Sequence, residues 1–88
     1  MIGEQTNDAE AVALRALGWM LGEDTRAVRF LSLTGLTPEA LRTRIGEPEL
    51  LAAILRFLEA HEPDLIACAE GIGLTPHELV TSRRALER

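Results

Sequence analysis

The chain has 88 residues, one small domain's worth, and a chain of that length buries roughly 60% of its unfolded surface. Its residues are 47% hydrophobic, mostly Leu, Ala, Ile and Val, with three aromatics (Trp19, Phe30, Phe57) and no Tyr; Leu and Ala are strong helix formers, so an all-α fold is expected. The formal charge is −5 and all nine basic residues are Arg, a balance that argues against broad binding to phosphate backbones or anionic lipid.

Residues 1–7 read as a flexible tail ahead of a single helical domain over 8–88. In "NDAE" at 7–10, Asn7 has the spacing of an N-cap with Glu10 as its capping-box partner. A first helix is expected over 8–21, with Val12, Ala13, Ala16, Leu17 and Met20 on one face and Leu14 and Leu21 widening it. "GED" at 22–24 breaks it. A second helix over 25–34 turns Ala27, Phe30 and Leu31 inward with Val28 beside them, and Gly35 stops it. The third, "PEALRTRI", is short and closes at Gly46. The fourth opens with "EPE", Pro48 in the first turn among carboxylates that suit the helix dipole. It carries Leu50, Leu51, Ile54, Leu55 and Leu58, plus Phe57, and fades at "AHEP". A fifth over 63–72 presents Leu65, Ile66, Ala69 and Ile72, and a sixth runs from Pro76 into "SRRALER".

The string "GLTP" occurs at 35–38 and again at 73–76, an offset of 38. At that offset Leu17 meets Leu55, Trp19 meets Phe57, Phe30 meets Cys68 and Leu41 meets Leu79. The fold expected is a compact bundle of five to six short helices, readable as a pseudo-duplicated three-helix unit with repeats at 12–45 and 50–83. Each repeated residue has a task at a helix end. Gly35 and Gly73 suit the left-handed position that ends a helix. Thr37 and Thr75 are N-caps, and Pro38 and Pro76 start the next helix. Leu36 with Leu41, and Leu74 with Leu79, have the spacing of a hydrophobic staple, and Glu78 completes a capping box with Thr75.

"ACAEGIGLTPHEL" also has the outline of a DNA-binding helix-turn-helix, in which Arg83, Arg84 and Arg88 would supply the nucleic-acid contact. Acidic first-turn residues, Glu78 here and Glu39 in the first copy, weigh against it, so DNA binding is the alternative and not the main reading. Cys68 is the only cysteine; it allows no internal disulfide and falls in a core slot. His61 and His77 lack the spacing of a metal site, and the carboxylates at 46–70 lack that of a calcium loop. No metal, no cofactor and no catalytic residue is expected, and the chain does not read as an enzyme.

Arg26, Arg29, Arg42 and Arg44 form a basic band on the second and third helices, while 46–70 holds six carboxylates against Arg56 alone. That asymmetry suits a protein partner, in a chain that is a monomer or weak homodimer. The N-terminus has neither the basic start nor the apolar core of a leader, and no apolar run could span a bilayer, so the cytoplasm is expected. The stretches "ALGWMLGED", "RFLSLTGLTPEALR", "EPELLAAILRFLEAHEPDLIACAEGIGLTP" and "RRAL" resemble a small family of alphaproteobacterial proteins of about ninety residues, a domain of unknown function. The resemblance implies a bacterial cytoplasmic helical protein and no assigned site residues. The reading is a protein-interaction or adaptor module.

Overall fold

Glycine, threonine and proline set most of the helix boundaries in this chain. A computed structural model of the protein describes residues 4–88, with side chains from Asp8 onward. Six helices follow one another: α1 (Glu4–Leu21), α2 (Asp24–Thr34), α3 (Pro38–Arg44), α4 (Pro48–Ala60), α5 (Glu62–Ile72) and α6 (Pro76–Leu86). Among the described residues there is no strand.

Three starts differ from the expectation, that of α5 by one residue, at Glu62. α1 begins at Glu4, so Asn7 lies inside the helix and is not its cap; residues 1–3 of the expected tail lie outside the described residues. Glu and Gln are good helix formers, and lengthening an existing helix gains one hydrogen bond per residue ordered. α2 begins at Asp24 because Glu23 caps it, its carboxylate accepting from the Arg26 N–H at 3.0 Å. That bond, first among several, holds the Glu23 carboxyl below the usual range.

The repeated turns form with the roles assigned to them. Gly35 and Gly73 have φ of 74° and 77°, where a side chain would be strained. The first turn is the simpler left-handed cap, Gly35 N–H donating to Leu31 O at 2.9 Å. The second is a full Schellman motif, with Leu74 N–H to Ala69 O at 2.8 Å and Gly73 N–H to Glu70 O at 3.3 Å. Thr37 Oγ1 accepts from the Ala40 N–H at 3.0 Å, and Thr75 Oγ1 from the Glu78 N–H at 3.1 Å. Glu78 answers Thr75 by accepting its N–H at 2.8 Å, a reciprocal bond that Ala40 has no side-chain oxygen to make.

The core is built around α4, where Leu50, Leu51, Ala52, Ile54, Leu55 and Leu58 are all buried. α1 packs against it and buries Ala9, Ala13, Ala16, Leu17 and Met20, the three alanines being small enough to let backbones approach closely. α6 lies along both α1 and α4 and buries Leu79 and Leu86. Phe30 of α2 is fully buried, edge-on to Phe57 at 5.1 Å, and its burial is worth roughly 1.5–3 kcal/mol. Val28 and Ile66, expected to join the apolar faces, are instead 63% and 46% exposed.

Trp19 ties α1 to its neighbours. Its ring lies so close to Gly71 of α5 that a Cβ there would sit 2.7 Å from Nε1. The Arg26 guanidinium lies 3.8 Å from the ring centroid and donates to the Trp19 carbonyl at 2.6 Å. Arg15 donates to the Ile72 carbonyl at the end of α5.

α2 and α5 are offset by 38 at both ends, as are the starts of α3 and α6. At the four pairs matched in the sequence burial follows the same offset: Leu17 and Leu55, Phe30 and Cys68, and Leu41 and Leu79 are buried, whereas Trp19 and Phe57 are half-buried. Packing does not follow it. α6 is wedged along α1 and α4, whereas its counterpart α3 lies along no other helix and buries only Leu41.

Candidate functional site

The asymmetry between α3 and α6 is clearest at the positions where α6 is bonded to the first helix of its half. Arg83 of α6 grips Glu59 of α4 with two bonds, Nε to Oε2 at 2.8 Å and Nη2 to Oε1 at 3.0 Å. A planar guanidinium matched to a carboxylate in this way is geometrically specific. Arg83 also donates to Glu87, which accepts from Arg56 as well, and the two cations hold the Glu87 carboxyl below its usual range. The seam between α6 and α4 is thus closed by charged groups that tolerate water.

At the offset of 38, Glu59 corresponds to Leu21 and Arg83 to Ile45. The first half therefore has two aliphatic side chains where the second has its ion pair, and they are 40% and 39% exposed. They are part of a cleft lined by Leu17, Leu21, Leu31, Leu41 and Ile45, completed by Pro38 and Arg42, with a volume of about 280 Å³. That is just below the roughly 300–1,000 Å³ of small-molecule pockets, and the lining offers one charged side chain to orient a ligand.

The basic band is dispersed by the fold. Arg26 is folded over Trp19 and capped by Glu23. Arg29 pairs with Asp64, tying α2 to α5. Arg44 pairs with Glu47 at 3.0 Å across the turn into α4. Arg42 makes no hydrogen bond or ion pair with any described residue, and it is the member of the band that lines the cleft. Of the C-terminal set, Arg83 is held in the seam, and Arg84 of α6 and Arg88 beyond its end are exposed.

Two of the remaining candidates for chemistry, Cys68 and His61, are taken up by the packing. Cys68 is fully buried, and burial pushes its thiol up to about 11. His61 stacks on Phe57 at 4.3 Å with Nδ1 2.8 Å from the Phe57 carbonyl, at the junction of α4 and α5. His77 is exposed in the first turn of α6. Among the described residues no three His, Cys, Asp or Glu side chains converge on a point, and no helix is long and apolar enough to cross a membrane.

A family model, described as a protein of unknown function, covers residues 6–88. The chain belongs to the DUF3572 family. No curated protein and no solved structure matches it.

In this DUF3572 chain the helix-turn-helix outline of α5 and α6 is filled by packing. α6 buries Leu79 and Leu86, and Glu78 is engaged with Thr75. His77, Thr81 and Arg84 of α6, and Arg88 beyond its end, remain exposed in a depression that also contains Asp8 and Glu78. Periodicity alone puts Leu21 in a core stripe and does not bring out the α1–α2–α3 cleft. The available signal was the exchange of an opposite-charge pair, Glu59 and Arg83, for the aliphatic pair Leu21 and Ile45 at the repeat offset.

Proposed function

We propose that this protein is an interaction module of the alphaproteobacterial cytoplasm, an adaptor that works through the α1–α2–α3 cleft and not through catalysis. The observation that supports the reading is the pair of aliphatic side chains, Leu21 and Ile45, exposed at positions where the other half of the same molecule has an ion pair. Apolar side chains gathered in one concave patch lose free energy to water until something covers them, by about 25 cal/mol for each Å² left exposed. The test follows from the repeat. Leu21→Glu with Ile45→Arg gives the first half the residues of the second. The double variant is expected to stay helical by circular dichroism and to lose a protein that the wild type retains from host extract. Identical captured proteins for the two would refute the reading.

A second reading, DNA contact through α6, draws on the exposed stripe of His77, Thr81, Arg84 and Arg88. Asp8 and Glu78 in the same depression and a net charge of −5 oppose it. A gel shift with random duplex at low salt decides this reading, because backbone affinity is strongest there; no shift dismisses it.

A further inference from the structure

We infer that the occupant of the cleft is an amphipathic helix from another protein, anchored by aliphatic side chains and carrying carboxylates beside them; this deepens the interaction reading and rests on it. Three features of the molecule support this occupant.

The first is the internal template. In the second half, the open side of α4 is covered by α6, an amphipathic helix whose Leu79 and Leu86 lie two turns apart on one face and are both buried. In the first half α3 ends at Arg44, and the counterpart of Leu86 at the repeat offset is Pro48, which starts the next helix. The consequence is visible on α1. Ala52 of α4 is 1% exposed, but its counterpart Leu14 is 43% exposed. Leu14 and Leu21, two turns apart on α1, are 43% and 40% exposed on either side of the buried Leu17, so an apolar edge of α1 is left open where it runs into the cleft. A groove of that form takes a helix with anchors at i, i+3 or i+4, and i+7.

The second is size. About 280 Å³ accommodates a few aliphatic side chains from such a helix.

The third is charge. Arg42 is the only charged residue lining the cleft and has no partner among the described residues, so a carboxylate on the occupant completes it. Two copies meeting cleft to cleft would bring Arg42 against Arg42 with no acid lining either side, which disfavours a second copy as the occupant.

The test uses the full chain and labelled helical peptides of one length in fluorescence polarisation at low ionic strength. One peptide has Leu at i, i+3 and i+7 flanked by Glu, a second replaces the Glu with Lys, and a third replaces the Leu with Ala. The Glu peptide is expected to bind at least ten-fold tighter than either of the others. This preference runs against the overall charge of −5, which by itself favours the Lys peptide. Arg42→Glu, at an exposed position that leaves the helices intact by circular dichroism, is expected to reverse the order of the Glu and Lys peptides. Leu21→Glu with Ile45→Arg is expected to abolish binding. Equal affinity for the Glu and Lys peptides, indifference to Arg42→Glu, or no binding of any peptide overturns the inference. So does a dimer in sedimentation that the double variant dissolves, since the occupant would then be a second copy. The host-extract comparison is read separately. A partner lost by the double variant alongside silent peptides leaves the interaction reading standing and removes the helix.

Discussion

Two glycines inside helices should respond to the same substitution with opposite signs. Gly18 of α1 has nothing within 4 Å of where a Cβ would stand, whereas a Cβ on Gly71 of α5 would lie 2.7 Å from Trp19 Nε1 and 2.8 Å from Cδ1. Replacing Gly by Ala in a helix interior gains about 1 kcal/mol from propensity, and at Gly18 nothing offsets it. At Gly71 the new methyl falls about 0.8 Å short of the ~3.5 Å of an unstrained contact, so the indole must move. Overpacking of this kind costs roughly 1–3 kcal/mol, and displacing the ring from Arg26 forfeits about 0.5–1 kcal/mol more. Against the propensity gain, Gly71→Ala should destabilise by about 0.5–3 kcal/mol. For a domain of this size 1 kcal/mol shifts Tm by roughly 4–8 °C, so Gly18→Ala should melt above the wild type and Gly71→Ala below it. Thermal melts at 222 nm measure the shifts. Emission from Trp19, the only tryptophan, reports whether the ring has moved. A Gly71→Ala protein that melts at or above the wild type with unchanged emission would refute the packing described for α1 and α5.

Thr75→Ala should cost about 1 kcal/mol in urea unfolding and Thr37→Ala less, because Thr75 belongs to a reciprocal capping box and Thr37 does not; equal losses would contradict that. Arg83→Met should cost about 1 kcal/mol at low salt and less in 1 M salt, since the side chain is part-exposed and screening weakens such pairs; a salt-independent loss would count against the ion pair. Cys68 should resist thiol reagents until the protein unfolds. Its pKa is raised from 9.0 to about 11, so the unfolded chain loses the thiol proton first. The contribution is complete below about pH 9 and falls away as pH rises toward about 11, so Tm should drop across that window more in the wild type than in Cys68→Ala.

Most helix ends were legible in the sequence because they are local events. Gly35, Thr37 and Pro38, and their counterparts Gly73, Thr75 and Pro76, act within a few residues of themselves, and the structure places each where its chemistry indicates. The core was legible where periodicity and coverage coincide, as on α4. It was not legible at Leu21, Val28 and Ile66. Spacing puts an apolar residue on a face but does not say whether another helix covers that face. The charge pairs were hidden for a related reason. Arg29 meets Asp64 and Arg83 meets Glu59 only because the helices cross where they do, and a linear reading of charge saw a basic band and an acidic stretch instead.

The loose seating of α3 separates two properties that most small domains keep together. With only Leu41 buried and no helix lying along it, α3 contributes little to the cooperative unit formed by α1, α4 and α6. Its amides should open at a fraction of the global unfolding free energy and exchange with deuterium well before those of α4. A swing of α3 between its flanking turns would then widen the cleft while the rest of the bundle stays closed. Substitutions on α3 can then retune what the cleft accepts at little cost to the stability of the fold that holds it.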